Sequence, residues 1–371
     1  MQLLKRLRSL IGLGRKPLAE PLRARGGIDH VIILDGTMSS LEPETLSNAG
    51  ITFRLLERVA AMPGSSLHLH YEPGVQWRGW KSAQDVALGR GINRQIRRVY
   101  EVLAARYRPG DRVFLFGYSR GAFAVRSLAG MIDMVGLLTP EHTNKRNVRA
   151  AYRHYENGPA TEAAQAFAAR KCHERVEIEM IGVWDTVKAL GLQLPLLWRL
   201  SESAHAFHSH HLGRSVRHGF QALALHETRV AYAPVMWDSD RDWPGHVQQV
   251  WFRGAHGDVG GHLGDFSEAR PLANIPLVWM LERAETLGLE MPDDWREPFP
   301  CDASAPSVGS FRGWGKMFLL RRARLVGLDP SESIHRSARE VLPQPKPEVA
   351  EAEQVSTAER SSPEQSSPEL S

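Results

Sequence analysis

Apolar residues along the chain gather in short runs, and four of these stop abruptly on polar residues. Ile28–Leu34 (IDHVIIL) runs into Asp35-Gly36-Thr37. Arg112–Phe116 (RVFLF), entered through the turn Arg108-Pro109-Gly110-Asp111, runs into Gly117-Tyr118-Ser119-Arg120-Gly121. Val176–Trp184 ends on Asp185-Thr186. Val247–Phe252 ends on Arg253-Gly254-Ala255-His256, followed by Gly257-Asp258-Val259-Gly260-Gly261-His262. Short apolar runs closed by glycine and polar residues predict strands buried on both faces. Helical patterns separate them, over Ala83–Tyr107, Ala122–Met134 and Thr161–Lys171. This alternation predicts an α/β fold, a mainly parallel sheet with helices on both faces. Ligands bind such sheets beyond the carboxyl ends of the strands, so all four polar groups are expected to face one site.

Composition supports a large core: 371 residues are 42% hydrophobic and include 10 Trp and 12 Phe. Two cysteines, Cys172 and Cys301, are too few for a disulfide framework or an all-cysteine zinc site. No apolar run approaches the ~18 residues of a membrane-spanning helix. The net charge of +4 hides an asymmetry, since residues 1–26 carry seven Lys and Arg against Glu20, while the tail carries six Glu against Lys346 and Arg360. Three regions follow: a basic N-terminal arm (1–26), one elaborated catalytic domain (27–342) and a disordered, acidic Pro/Ser/Glu-rich tail (343–371). The body itself carries little net charge, so no nucleic-acid partner is expected. In the arm, Leu3, Leu7, Leu10 and Ile11 recur at helical spacing beside Lys5, Arg6 and Arg8. That suits either a peripheral contact with anionic lipid or a frayed, solvated terminus. Charged residues interrupt the arm's apolar segment, so it does not read as a secretory signal.

Gly117-Tyr118-Ser119-Arg120-Gly121 fits the G-x-S-x-G elbow between a strand and a helix. Gly117 and Gly121 are required because side chains flanking so tight a turn would meet neighbouring backbone. Ser119 is thereby the expected nucleophile, and it needs a base that is oriented by a carboxylate. Asp185 and His256, each closing a later strand, complete the order Ser, Asp, His found in α/β-hydrolases. Asp258 competes as the carboxylate, and His262 and His335 compete as the base. Asp185 is preferred because Asp258, two residues from His256, more easily shapes that loop. An oxyanion hole is expected from the N–H of Arg120 with a second amide from Gly36 or Thr37. Asp35 either supports that loop or simply caps a βα turn. No cofactor is expected.

Two rival readings use other residues. His205, His208, His210 and His211, with His218 and His226, invite a metal-dependent phosphodiesterase that would also draw on His256, Asp258 and His262. A non-catalytic adaptor or immunity-like binding protein on a hydrolase scaffold is the other. Phe311–Leu325 (FRGWGKMFLLRRARL) mixes aromatics with cations and reads as a lipid-facing amphipathic segment or a core helix with a basic outer face.

Several blocks in this order resemble a known family, the α/β-hydrolase domain of type VI secretion phospholipase effectors of the Tle type. They are Leu34-Asp35-Gly36-Thr37, Arg108–Arg126, Ile181–Val187 (IGVWDTV), Ala222–Arg229 (ALALHETR), Val250–Gly261 (VWFRGAHGDVGG) and Ile334–Ser337 (IHRS). The resemblance implies a lipolytic hydrolase of the phospholipase A type, with the family's triad positions falling on Ser119, Asp185 and His256. It implies a phospholipid or other ester substrate, and a secretion-machine component or an immunity protein as partners. It also implies synthesis in the cytoplasm with export by a type VI system. The sequence departs from the family pattern at Gln221 and His226, and at Met38-Ser39 after the Asp-Gly-Thr block.

Overall fold

The computed structural model describes residues 27–75, 90–158, 161–187, 212–239, 243–312, 315–316 and 318–339. The basic arm, the acidic tail and the histidines at 205–211 lie outside the described residues. Seven strands form one sheet: β1 (Asp29–Leu34), β2 (Leu67–Glu72), β3 (Arg112–Tyr118), β4 (Ile178–Trp184), β5 (Val216–Ala224), β6 (His246–Phe252) and β7 (Glu332–Ile334). Their spatial order is β2-β1-β3-β4-β5-β6-β7, and every neighbouring pair is parallel. The expected α/β class is borne out, with the sheet wholly parallel across these strands.

Alternate residues of the strands feed two cores, because successive side chains point to opposite faces. Ile32 and Leu34 of β1, with Val113 and Leu115 of β3, pack under α2 (Arg90–Arg106), α3 (Arg120–Val135) and α4 (Lys145–Asn157). Val31 and Ile33, with Phe114 and Phe116, pack under α1 (Asn48–Ala60) and α7 (Arg270–Thr286) on the other face. Full burial of each such side chain contributes about 1.5–3 kcal/mol. A short α5 (Glu162–Lys171) precedes β4, a single-turn α6 (His256–Gly260) follows β6, and α8 (Arg336–Arg339) follows β7.

Strand order reverses between β1 and β3, which leaves a crevice at their carboxyl ends. Helix α3 packs so tightly there that a Cβ at Gly121 would stand 2.1 Å from the Leu34 carbonyl oxygen. No side chain fits at that contact. On the opposite face Asn48 ties α6 to the body by donating to the Val259 and Ala273 carbonyls.

The segment Phe311–Leu325 does not form the expected core helix over residues 318–325. It runs as an irregular strap that bonds to the loop after β5, Val230 N–H donating to Leu320 O at 3.1 Å and Arg322 N–H to Thr228 O at 2.7 Å.

Candidate active site

Ser119 closes β3 and begins α3 with φ 56° and ψ −119°. This backbone region is costly for a residue with a Cβ, by about 1–3 kcal/mol, and persists only where packing enforces it. A serine at a helix N-cap ordinarily accepts an N–H from the first turn. Here the side chain makes no cap bond, and its Oγ lies 2.9 Å from His256 Nε2. His256 Nδ1 lies 2.5 Å from Asp185 Oδ2. The three side chains meet across the carboxyl ends of β3, β4 and β6, and all three residues are buried. Tyr118 and Tyr232 bracket the imidazole at ring distances of 4.9 and 4.8 Å.

Asp185 is also at positive φ, 43°, and entirely buried. Burial by itself would push its carboxyl up. Arg324 overcomes that, with help from His256, and holds it well below the usual carboxylate range. The guanidinium donates through Nη1 to Oδ1 at 2.6 Å and through Nη2 to Oδ2 at 3.0 Å. The same two nitrogens donate to Ala224 O at 2.8 Å and Tyr232 O at 2.6 Å. Arg324 arrives from the strap, more than 130 residues beyond Asp185, and no local pattern marks it as a partner.

A second carboxylate also bears on His256. Glu227 accepts its backbone N–H at 3.2 Å and is held in turn by Arg229, whose Nη2 donates at 2.6 Å. Burial raises the Glu227 carboxyl and Arg229 more than offsets it, so the net direction is down. The Arg229 guanidinium lies 4.0 Å over the Tyr232 ring, a cation–π contact that orders the wall of the site. Glu227 and Arg229 sit inside the Ala222–Arg229 block, yet nothing in their spacing reveals the contact with His256.

The competing residues do not join the Ser119–His256–Asp185 chain. Asp258 accepts from the Ala255 N–H at 2.7 Å, Ser307 Oγ at 2.6 Å and the Val308 N–H at 2.7 Å, so it shapes the loop under His256. His335 Nδ1 bonds Ser337 Oγ at 2.8 Å and its ring stacks on Phe252 at 4.7 Å. His262 is half-buried, and burial together with neighbouring His256 pushes its pKa down. Of the histidines named for a metal site, His226 Nδ1 accepts the Gly254 N–H at 3.0 Å, and His218 Nδ1 lies 3.0 Å from the Glu179 carbonyl oxygen. Among the described residues no group of three or more His, Cys, Asp or Glu could hold a metal ion. Gln221 joins a buried chain, donating to Gln249 Oε1 at 2.9 Å and accepting from Thr186 Oγ1 at 2.6 Å. Its departure from the family pattern therefore falls on a framework position.

The β1 loop lies against the elbow, since a Cβ at Gly36 would stand 3.3 Å from Ser119 Cβ. The Gly36 N–H is turned to Asp35 Oδ1 at 2.7 Å, so of the two amides expected from this loop it is already engaged. Thr37 remains, its N–H making no hydrogen bond among the described residues and its Oγ1 buried without a partner. The Arg120 N–H, as the first amide of α3, has no intrahelical acceptor. Asp35 is fully buried and receives Ser47 Oγ at 2.6 Å and Tyr71 Oη at 2.7 Å. Burial dominates over these bonds and raises its pKa to about 6.

Comparison with known proteins adds the decisive observation: the T6SS Tle1-like phospholipase effector catalytic domain matches residues 29–283, well over half of the chain. The chain belongs to this family. The matched family is that of the catalytic domain of Tle1-like phospholipase effectors of the T6SS. A curated relative, an uncharacterized protein of Saccharomyces cerevisiae, is 27% identical over 205 residues, covering 48% of this chain and 29% of its own length. Among solved structures, an uncharacterized protein from Pseudomonas aeruginosa is similar with TM-score 0.41 and 16% identity, over 81% of this chain and 51% of that one. A Tle1 effector bound to the VgrG spike of the type VI system is similar with TM-score 0.37 and 18% identity, over 65% of this chain and 52% of that one. The Tle1-like chain thus spans less than a third of the yeast protein's length and about half of each solved chain. Among its described residues, no helix is long and apolar enough to cross a membrane.

Proposed function

We propose that this chain is a serine phospholipase of the A type, cleaving a carboxylic ester of a phospholipid through an acyl-enzyme on Ser119. The observation that carries the reading is the unbroken chain Ser119 Oγ, His256 Nε2, His256 Nδ1, Asp185 Oδ2, starting from a serine held in a strained elbow. In this mechanism His256 takes the Ser119 proton as Oγ attacks the ester carbonyl, and then gives it to the departing lysophospholipid oxygen. Water, activated by the same imidazole, releases the fatty acid and restores Ser119. Asp185 fixes the tautomer in which Nδ1 carries the hydrogen, and it offsets the imidazolium charge as that charge forms. The tetrahedral oxyanion is met by the Arg120 and Thr37 amides, at the positive end of α3. Gly117 and Gly121 permit the elbow, Gly36 and Asp35 set the loop, and Asp258 supports the His256 turn.

Lipid as the substrate class, loading onto a secretion spike and neutralisation by an immunity protein are carried over from the family and belong to the same reading. The test incubates the purified protein and its Ser119→Ala variant with mixed phospholipid vesicles, with and without a chelator, and identifies products by mass spectrometry. Fatty acid and lysophospholipid that vanish in the variant and ignore the chelator are expected. Chelator-sensitive release of a headgroup would move the chemistry to the histidines, and no turnover of any ester would leave a binding protein.

A further inference from the structure

Eight large apolar side chains are exposed among the described residues, and five of them fall in one stretch: Phe311, Leu319, Leu320, Leu325 and Leu328. Scattered exposed leucines are ordinary, but this concentration is not. Leu319 is 88% exposed, Leu320 70%, Leu325 60% and Leu328 74%. Between Phe311 and Leu328 the chain has no Asp or Glu, whereas it has Arg312, Lys316, Arg321, Arg322 and Arg324. Two of these cations are engaged within the protein, Arg324 on Asp185 and Arg321 on Ser310, Gly315 and Thr228. Arg312, Lys316 and Arg322 are exposed beside the leucines.

The strap is neither helix nor strand, so its leucines project singly and build no groove for a folded partner. The charges between Phe311 and Leu328 are all cationic, while Asp329 and Glu332 at the far end are engaged on Ser239, Ser331, Trp251 and backbone N–H groups; apolar side chains on such an irregular segment complement a surface with anionic headgroups above an acyl layer. Position points the same way. Phe318 packs on Tyr232 at 5.5 Å, and Tyr232 packs on His256. The strap therefore borders the mouth of the site, beyond residue 283 where the family match ends.

We propose that the 318–328 strap docks this protein onto an anionic phospholipid bilayer, with Leu319, Leu320, Leu325 and Leu328 entering the acyl region and Arg322 meeting headgroup phosphates. A lipid drawn from that bilayer then has a short path to Ser119. The proposal deepens the lipolytic reading and rests on it, so its test separates binding from turnover. Flotation with vesicles of phosphatidylglycerol and phosphatidylcholine compares the Ser119→Ala protein with the same protein carrying Leu319→Ser and Leu328→Ser. Each leucine that leaves the acyl layer weakens binding by about tenfold or more, and Arg322→Gln weakens it about fivefold on anionic vesicles alone. Both leucines are largely exposed, so melting temperatures are expected to be unchanged. In the active protein the same leucine pair is expected to lower fatty-acid release from vesicles while turnover of a soluble short-chain ester stays near wild type. Equal vesicle binding by the leucine variant overturns the proposal, as does a parallel fall in soluble-ester turnover, which would mean that the strap acts on the site itself. Leucine-dependent binding without fatty-acid release by the wild type would uphold docking and refute the lipolytic reading.

Discussion

Replacing Arg324 by methionine keeps most of the side-chain volume and removes the guanidinium that holds Asp185. Arg324 is 4% exposed and Asp185 is not exposed at all. Removing one partner of a buried ion pair costs about 3–5 kcal/mol, because the other charge is left desolvated. The Ala224 and Tyr232 carbonyls lose their guanidinium donors as well. Burial is the largest influence on the Asp185 carboxyl, and without Arg324 only His256 opposes it, so the pKa rises from its wild-type position. Stability and activity then respond to pH in opposite senses. In the wild type the depressed carboxyl stabilises the fold fully above the ordinary value of 3.8, and that contribution is lost only as pH falls through the lower folded value. In the variant the folded carboxyl binds its proton more readily than in the wild type, so the stability difference between the two proteins shrinks as pH falls. The stability gap measured by urea unfolding is therefore widest near pH 8 and narrows toward pH 5. The gap in kcat/KM on a soluble ester widens over the same range, because a protonated Asp185 no longer supports the His256 imidazolium. Arg324→Lys, which keeps the charge without the fork, is expected to fall between. If Arg324→Met unfolds within about 1 kcal/mol of wild type at both pH values, or if both gaps move together, Arg324 does not hold Asp185 in the way the hydrogen bonds imply.

Four further outcomes are expected. Asp35→Asn removes a buried carboxyl whose pKa is raised from 3.8 to about 6. Because the folded state binds that proton more tightly, wild-type stability rises as pH falls across this interval. The variant should gain about 1–3 kcal/mol at pH 8 and nothing near pH 4, read by urea unfolding at both. Ser119→Gly should be more stable than Ser119→Ala by about 1–3 kcal/mol, since both lack the hydroxyl and only glycine relieves the positive φ; equal unfolding midpoints would refute the strain. Asp185→Asn should lower kcat by about 10⁴ with the fold retained, through the wrong histidine tautomer. Asp258→Asn should cost about 1–2 kcal/mol of stability with a smaller loss of rate, and the reverse ranking in folded protein would reassign the carboxylate.

The strand ends were legible in the sequence for a physical reason. The carboxyl half of a strand buried on both faces is apolar, and a turn beyond it must use glycine or a small polar residue, so β1 (VIIL), β3 (VFLF), β4 (MIGVW) and β6 (VWF) announce both themselves and the residues they present. The other strands do not meet that condition. In β2, Leu67–Glu72 alternates Leu with His at a half-buried edge. In β5, Arg217, His218, Gly219 and Gln221 interrupt the run, and Gln221 is tolerated because Gln249 and Thr186 satisfy it. Strand β7 is three residues long. Helix α7 carries Pro271 and Pro276, which mask its pattern.

The conformation of the strap was not legible for a different reason. Its mixture of apolar and basic residues has the composition of an amphipathic helix, but its conformation is fixed by partners far away in the chain. Arg324 and Arg229 neutralise the two carboxylates that hold His256, one at the ring and one at the backbone N–H. Their segments are joined to each other, Thr228 and Val230 pairing with Arg322 and Leu320. The loop after β5 and the strap thus form one clamp over His256, in which each buried carboxylate is tolerable only while its guanidinium is in place. Local pattern can specify a residue at the end of a strand. It cannot specify a charge balance assembled from four residues on two segments, and so the strand ends that carry Ser119, Asp185 and His256 stood out in the sequence while the guanidiniums that hold Asp185 and Glu227 ionised did not.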